Sequence, residues 1–334
     1  MTTKVIAEVG PNHNGDIKLA KEFILSLKDS GVDYIKFQLA IPEDVYSDDS
    51  YFANYQKKNT KQKSIIEMSK QIQLTYPQHK ILFELCNKNN LRYSCSAFDL
   101  KSLKFIFKNF NLPFFKIPSG EIFSLDMLDF IKNKKLQILL STGTSSLKEI
   151  EYTVNYIGKK NKNRLTLMHC ISSYPAKKSE LNLNYMNYLA NKFGVDVGYS
   201  DHSLGPEACI VAASMGAKFI EKHVTMDKSL PGPDHKSSME LNEFIQLIKE
   251  IKSINIIKGK SKKVLSKETK NVKDVALKSC VSKKLIKKNE ILKKEHICFK
   301  RPGNGILPNQ LNFFIGKKIK VTVKKNRVLK KEFF

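Results

Sequence analysis

Eight short apolar runs, at residues 4–10, 34–39, 93–98, 114–119, 137–143, 165–171, 195–202 and 218–224, punctuate the first two thirds of the chain. Between most of them lie segments of helical period. Ile17, Leu19, Phe23, Ile24 and Leu27 form one apolar stripe; Ile150, Val154 and Ile157 form another. Apolar runs alternating with amphipathic helices predict parallel βαβ units. Eight such units over ~250 residues predict a (β/α)8 TIM barrel.

The polar residues that interrupt the ends of these runs follow one order. From the first strand to the eighth they are Glu8; Lys36 and Gln38; Ser96; Lys116 and Ser119; Ser141; His169, Ser172 and Tyr174; Ser200 and His202; Glu221 and His223. Barrel active sites lie at the C-terminal face of the strands. One polar strand end carries no message, but eight in register predict a single pocket.

After Ile257 the pattern changes. A polar, lysine-rich stretch opens at Lys258-Gly259-Lys260. We therefore divide the chain into a catalytic barrel (1–258), a linker (259–275) and a small β-rich domain (276–334). That last part contains an internal repeat: IKKNEILKKE at 286–295 returns as VKKNRVLKKE at 323–332, identical at seven of ten positions. Such self-similarity predicts a duplicated unit. Between the copies, Lys300-Arg301-Pro302-Gly303-Asn304-Gly305 predicts a rigid presenting loop.

Composition narrows the functional classes. The net charge of +26 raises a nucleic-acid partner. It is set aside because lysine dominates and only Arg92, Arg164, Arg301 and Arg327 supply guanidinium forks. The positive field should still recruit an anionic small molecule. No apolar run approaches the ~20 residues of a membrane span. The chain enters a strand within its first residues, so no signal peptide is expected and cytoplasm is the default. The six cysteines form no close pairs, which argues for buried thiols rather than a disulfide framework or zinc ribbon.

Several residues invite chemistry. Glu8, flanked by Ile6, Ala7 and Val9, needs a partner if buried. Lys36 and Lys116 are isolated in apolar strands. They read either as ion pairs with Glu8 or Glu121, or as two ammonium groups that hold a phosphate or carboxylate beside Ser119, Ser141 and Ser200. His202 and His223 close neighbouring strands, and two neutral imidazoles side by side begin a divalent metal site. His169 reads equally as a core histidine. Asn12-His13-Asn14-Gly15 predicts a turn into the first helix. In Pro231-Gly232-Pro233-Asp234-His235-Lys236, Asp234 is a candidate substrate contact and His235 a candidate third metal ligand.

The ordered set resembles the sialic acid synthase (N-acetylneuraminate synthase) family over nearly the whole chain. The resemblance rests on the segments from Ala7 to Gly15, Lys36-Phe37-Gln38, Lys116 to Glu121, Ser141-Thr142-Gly143, Gly198 to His202, Glu221-Lys222-His223, Gly232 to Lys236, and Lys300 to Gly305, the last in an antifreeze-like (SAF) domain. It implies condensation of phosphoenolpyruvate with an N-acetylated hexose, releasing phosphate and giving a nine-carbon keto acid. It implies Glu8 as the catalytic carboxylate and His202 and His223 as ligands of Mn²⁺ (or Mg²⁺ or Co²⁺), with water and sugar oxygens completing a labile coordination sphere. Lys36, Ser96, Lys116, Ser119, Ser141, Ser172, Tyr174 and Ser200 would surround phosphoenolpyruvate. Gln38, Tyr174 and Asp234 would contact the sugar, and Arg301 would reach its N-acetyl group across a domain-swapped homodimer. Some family members have threonine and asparagine where this chain has Ser96 and Ser172, which are shorter. N-acetylneuraminate synthase is the first expectation, legionaminate synthase the alternative and pseudaminate synthase the third. A Schiff-base pyruvate aldolase using Lys116 and a non-catalytic carbohydrate-binding protein are the readings from other classes.

Overall fold

The computed structural model describes residues 3–53, 56–57 and 62–334. They form two compact units, Met1–Gly259 and Lys260–Phe334.

The first unit is a closed parallel barrel. Its strands are β1 (Lys4–Glu8), β2 (Tyr34–Leu39), β3 (Tyr93–Ala97), β4 (Phe114–Ile117), β5 (Gln137–Ser141), β6 (Leu165–His169), β7 (Asp196–Asp201) and β8 (Phe219–Thr225). They pair in sequence order and β8 closes on β1. Each expected run became a strand: β2 matches its run, β8 is shifted by one residue, and the others lose one or two residues where their ends turn into loops. A two-residue β9 (Met239–Glu240) adds to β8.

Strand residues alternate between the barrel interior and the helix-facing layer. The interior-facing set is stratified. At the N-terminal end Ile6, Tyr34, Phe114, Leu139, Met168 and Phe219 form one apolar cluster, with Phe114 set edge-on to both Tyr34 and Phe219. One step up, the same parity brings Glu8, Lys36, Ser96, Lys116, Ser141, Ser200 and Glu221 from seven of the strands, and Cys170 just past the end of β6. In register, Glu8 stands beside Lys36 and His223, Ser96 beside Lys116, and Ser200 beside Glu221. The barrel therefore has an apolar floor and a charged upper layer. Among the described residues, no helix is long and apolar enough to cross a membrane.

The second unit has little regular structure. Helix Lys267–Ala276, capped by Ser266, occupies the stretch expected to be a linker; its serine cap and the lack of a breaker after Ser266 allow it to form. An antiparallel hairpin of β10 (Ser279–Ser282) and β11 (Ile297–Lys300) follows. The two copies of the repeat meet at their first residues: Ile286 and Val323 exchange both backbone hydrogen bonds at 2.9 Å. Equivalent positions behave alike. Asn289 and Asn326 are both left-handed (φ 68° and 62°), a conformation asparagine tolerates. Leu292 and Leu329 are both fully buried, and both copies end in a 3₁₀ turn. The loop after β11 is tied down: the Gly303 N–H donates to the Asp274 carbonyl at 2.7 Å and the Ser279 hydroxyl to the Pro302 carbonyl at 2.6 Å. A Cβ on Gly305 would lie 2.2 Å from Val328 Cγ1, so only glycine fits there.

Candidate active site at the C-terminal face of the barrel

Thirteen of the fourteen predicted site residues line one cavity of about 410 Å³: Glu8, Lys36, Gln38, Ser96, Lys116, Ser119, Ser141, Ser172, Tyr174, Ser200, His202, His223 and Asp234. The fourteenth, Arg301, is exposed on the second unit directly after β11.

The buried charges form one chain of contacts. Lys36 Nζ lies 2.6 Å from Glu8, 2.9 Å from the Ser96 hydroxyl and 3.7 Å from Glu221. Lys116 Nζ lies 3.2 Å from Glu221, to which Ser200 also donates at 3.0 Å. Gln38 Nε2 donates to Glu8 Oε1 at 2.7 Å. Lys36 thus pairs with Glu8 as expected, whereas Lys116 pairs with Glu221 and not with Glu121, which accepts from Ser124. From the sequence, Glu221 is a strand-end residue with no assigned role. Its parity, two residues before His223 on the inward face, is the signal that identifies it.

These contacts drive the two carboxylates apart. Burial pushes the Glu8 carboxyl up, Glu221 adds to this, and Lys36 opposes it. Burial would raise Glu221 too, but Lys116 and Lys36 outweigh it and hold Glu221 at about 2. Glu8 can therefore exchange a proton while Glu221 stays a fixed negative charge between two lysines. Lys36 stays an ammonium: burial works against its charge, but Glu221 and Glu8 prevail.

The two histidines sit with ring centroids 5.5 Å apart. His202 Nδ1 lies 2.8 Å from the Ile171 carbonyl, which can only accept. That contact puts the proton on Nδ1 and leaves the Nε2 lone pair on the cavity side, 3.2 Å from the Tyr174 hydroxyl. His223 Nδ1 is buried without a hydrogen bond among the described residues and lies 3.5 Å from Asp234. Burial keeps both rings neutral, and His202 further lowers His223. An orphaned imidazole nitrogen beside an oriented lone pair fits a divalent cation. No cluster of three or more histidine, cysteine or acidic ligands exists among the described residues, so such an ion would have two imidazole ligands and open positions.

The serines occupy a neighbouring part of the wall. Ser119 and Ser172 hydroxyls are 3.2 Å apart, and the Ser141 hydroxyl is buried with no hydrogen bond among the described residues. An unsatisfied buried hydroxyl beside Lys116 and Lys36 is what an anion-binding pocket offers before its ligand arrives.

Other candidates prove structural. His169 Nε2 bonds the Leu181 carbonyl at 2.7 Å. His235 is not a third metal ligand, because Nδ1 bonds Thr225 at 2.7 Å and Nε2 bonds Asn14 at 3.2 Å. Asn12 donates to the Val224 carbonyl and to Ser238, each at 2.8 Å, locking the first loop to the end of β8. Within the motifs that supply the histidines, the alternate residues turn outward. Asp201 lies 2.5 Å from Lys222 and also accepts from Tyr199 and Ser203, a pair buried between sheet and helices that holds β7 to β8.

The chain resembles known proteins over most of its length. The chain is 41% identical over 319 residues to N,N'-diacetyllegionaminic acid synthase of Campylobacter jejuni, covering 94% of this chain and 95% of that protein. It is 36% identical over 328 residues to the Legionella pneumophila protein of the same name, covering 97% and 92%. A crystal structure of N-acetylneuraminic acid synthetase from Leptospira borgpetersenii superposes with a TM-score of 0.69 at 31% identity, covering 81% of this chain and 90% of that one. The NeuB family model matches residues 23–263, and with these relatives it establishes that the chain belongs to the NeuB family, whose named members here are synthases.

Proposed function

We propose that the protein is a nonulosonate synthase of the legionaminate branch, condensing phosphoenolpyruvate with a hexose that carries two acetamido groups. The observation that carries this reading is the single cavity in which two buried lysines, the unsatisfied Ser141 hydroxyl and two neutral imidazoles face one space. N-acetylneuraminate synthase, the first expectation, stands second: the 41% and 36% identical relatives are both named for the diacetylated product.

In this reading Lys36 and Lys116 hold the phosphate and carboxylate of phosphoenolpyruvate, with Ser96, Ser119, Ser141, Ser172 and Ser200 supplying hydrogen bonds. Gln38, Tyr174 and Asp234 orient the sugar. His202 and His223 would hold Mn²⁺, Mg²⁺ or Co²⁺, which when bound polarises the aldehyde oxygen. The enol π pair forms the new bond to the aldehyde carbon, and that carbonyl oxygen gains a proton. Water adds to the cationic former enol carbon and loses a proton. The carbon–oxygen bond to phosphate then breaks as the hydroxyl on that carbon gives its proton to the departing phosphate, leaving the keto acid. Glu8, buried and raised, exchanges protons at its carboxylate oxygens with the new hydroxyl and with the attacking water. Lys36 and Lys116 stabilise the departing phosphate. Lys116 Nζ is engaged by the Glu221 carboxylate at 3.2 Å, which weighs against the Schiff-base reading. We further read the second unit as an antifreeze-like domain whose tethered loop presents Arg301 to a partner subunit in a swapped dimer.

The test is phosphate release from phosphoenolpyruvate with candidate N-acetylated hexoses, with and without a chelator. Metal-dependent release with the diacetamido sugar is expected. Chelator-resistant turnover of pyruvate, with borohydride trapping on Lys116, would overturn it.

A further inference from the structure

Lys222 is as buried as the lysines of the cavity, yet it faces the other side of β8, in the layer between sheet and helices. It stands between Glu221 and His223 in sequence and opposite Asp201 in register. Its ammonium meets three acceptors: the Asp201 carboxylate at 2.5 Å, the Gly205 carbonyl at 3.2 Å and the Ser203 carbonyl. Both carbonyls belong to the loop that follows His202. Asp201 Oδ1 in turn accepts from the Ser203 N–H at 2.9 Å and the Ser203 hydroxyl at 2.7 Å, closing a turn around His202. One ammonium therefore ties the chain on both sides of His202 to the residue that precedes His223.

The backbone ladder does not do this by itself. Pairing of β7 with β8 ends at Asp201 and Lys222, so His202 lies just past it. His202 Nδ1 is held by the Ile171 carbonyl, but His223 Nδ1 has no hydrogen bond among the described residues. The 5.5 Å between the two rings thus depends on how the strand ends are held together. A pair that only stabilised the fold would need Asp201 alone. It would leave unexplained why the other two acceptors of Lys222 both lie in the loop after His202.

We infer that Lys222 is a positioning residue for His202 and His223, setting the spacing at which the two imidazoles can share a divalent ion. The inference rests on the synthase reading, in which these rings hold the metal. With two imidazole ligands, no third protein ligand compensates for a misplaced one. Groups behind metal ligands typically change metal affinity by about ten- to a hundredfold when removed.

The experiment titrates Mn²⁺ into the substrate-free protein and follows the free ion by electron paramagnetic resonance. Lys222→Met alone strands the Asp201 carboxylate, so the variant compared is Asp201→Asn with Lys222→Met, which keeps an acceptor for Ser203 and leaves no buried charge. Its Mn²⁺ affinity should fall by about tenfold or more. Lys222→Gln, uncharged but still a donor, should fall between it and the wild type. Tyr199→Phe removes another hydrogen bond to Asp201 with the Lys222 contacts intact, and should lower the melting temperature without changing Mn²⁺ affinity. Phosphoenolpyruvate affinity, read by calorimetry with a chelator present, should hold in all three, because Lys36 and Lys116 face the cavity. Unchanged Mn²⁺ affinity in both Lys222 variants, or an equal loss in Tyr199→Phe, overturns the positioning role. A wild type that binds no Mn²⁺ would instead sink the metal step of the synthase reading, and this inference with it.

Discussion

The two units of this chain handle charge in opposite ways. Residues 260–334 carry 23 lysines and arginines against 5 acids, whereas residues 1–259 carry 35 against 27. In the first unit the charges that matter are buried, and each has a partner: Lys36 with Glu8, Lys116 with Glu221, Lys222 with Asp201. In the second unit the lysines face water around a small core of Cys280, Ile286, Leu292, Ile297, Ile306, Leu311, Ile319, Val323 and Leu329. Burial demands compensation, and solvation removes that demand. A residue's charge therefore says little until its surroundings are known.

Experiments can strain this contrast, beginning with the largest effect. Glu8→Gln should lower kcat by about 10²–10⁴-fold, the contribution of a positioned proton-transfer group, with little change in the urea midpoint. Retained turnover would remove Glu8 from the chemistry. Asp201→Ala strands the Lys222 ammonium in the sheet–helix layer and should cost about 3–5 kcal/mol in urea unfolding. A loss under 1 kcal/mol would mean that water reaches the pair.

In the second unit, Leu292→Ala and Leu329→Ala occupy equivalent repeat positions, both fully buried. Each should cost about 2–5 kcal/mol, and the two losses should be similar. A large inequality, read from that unit's own unfolding transition, would show that the duplicated sequence is not a duplicated structure.

Buried histidines set a further, pH-dependent difference. His79 is fully buried against Tyr93, and burial lowers it to about 3. The unfolded chain takes up this proton below about pH 6.5 while the folded chain does not. Stability is thus full above pH 6.5 and falls as pH drops toward 3, by about 1.4 kcal/mol per unit for this residue. His79→Leu should flatten the urea-midpoint profile between pH 6.5 and 5, and an unchanged slope would argue against a neutral buried ring. Smallest of all, Lys325→Ala on the exposed face of the second unit should shift stability by no more than about 0.5 kcal/mol.

Much of the fold was legible because strand and helix periods are local. The eight runs, the stripe of Phe23, Ile24 and Leu27, and the turn at Asn14-Gly15 each follow from spacing within a few residues. The candidate site was legible for the same reason: polar residues at the ends of apolar strands had one common destination in a closed barrel. What escaped was pairing across the chain. Glu221 and Glu121 are equally acidic on paper, and only the neighbouring strands put Lys116 against the first. His235 and His223 are both histidines at the barrel mouth, yet Thr225 and Asn14 occupy both nitrogens of one while the other keeps an unbonded nitrogen. The helix after Ser266 was hidden by a lysine-rich composition that reads as linker.

By itself, then, the sequence determined the element order, the inward parity of the strand-end residues and the duplication in the second unit, because these are properties of periodic neighbours. The tertiary structure alone decided which charges meet, which of Glu8 and Glu221 is raised and which is lowered, and which residues between β2 and β3 come to wall the cavity. Those outcomes depend on distances between atoms far apart in the chain, and electrostatic and packing energies vary with distance rather than with sequence order.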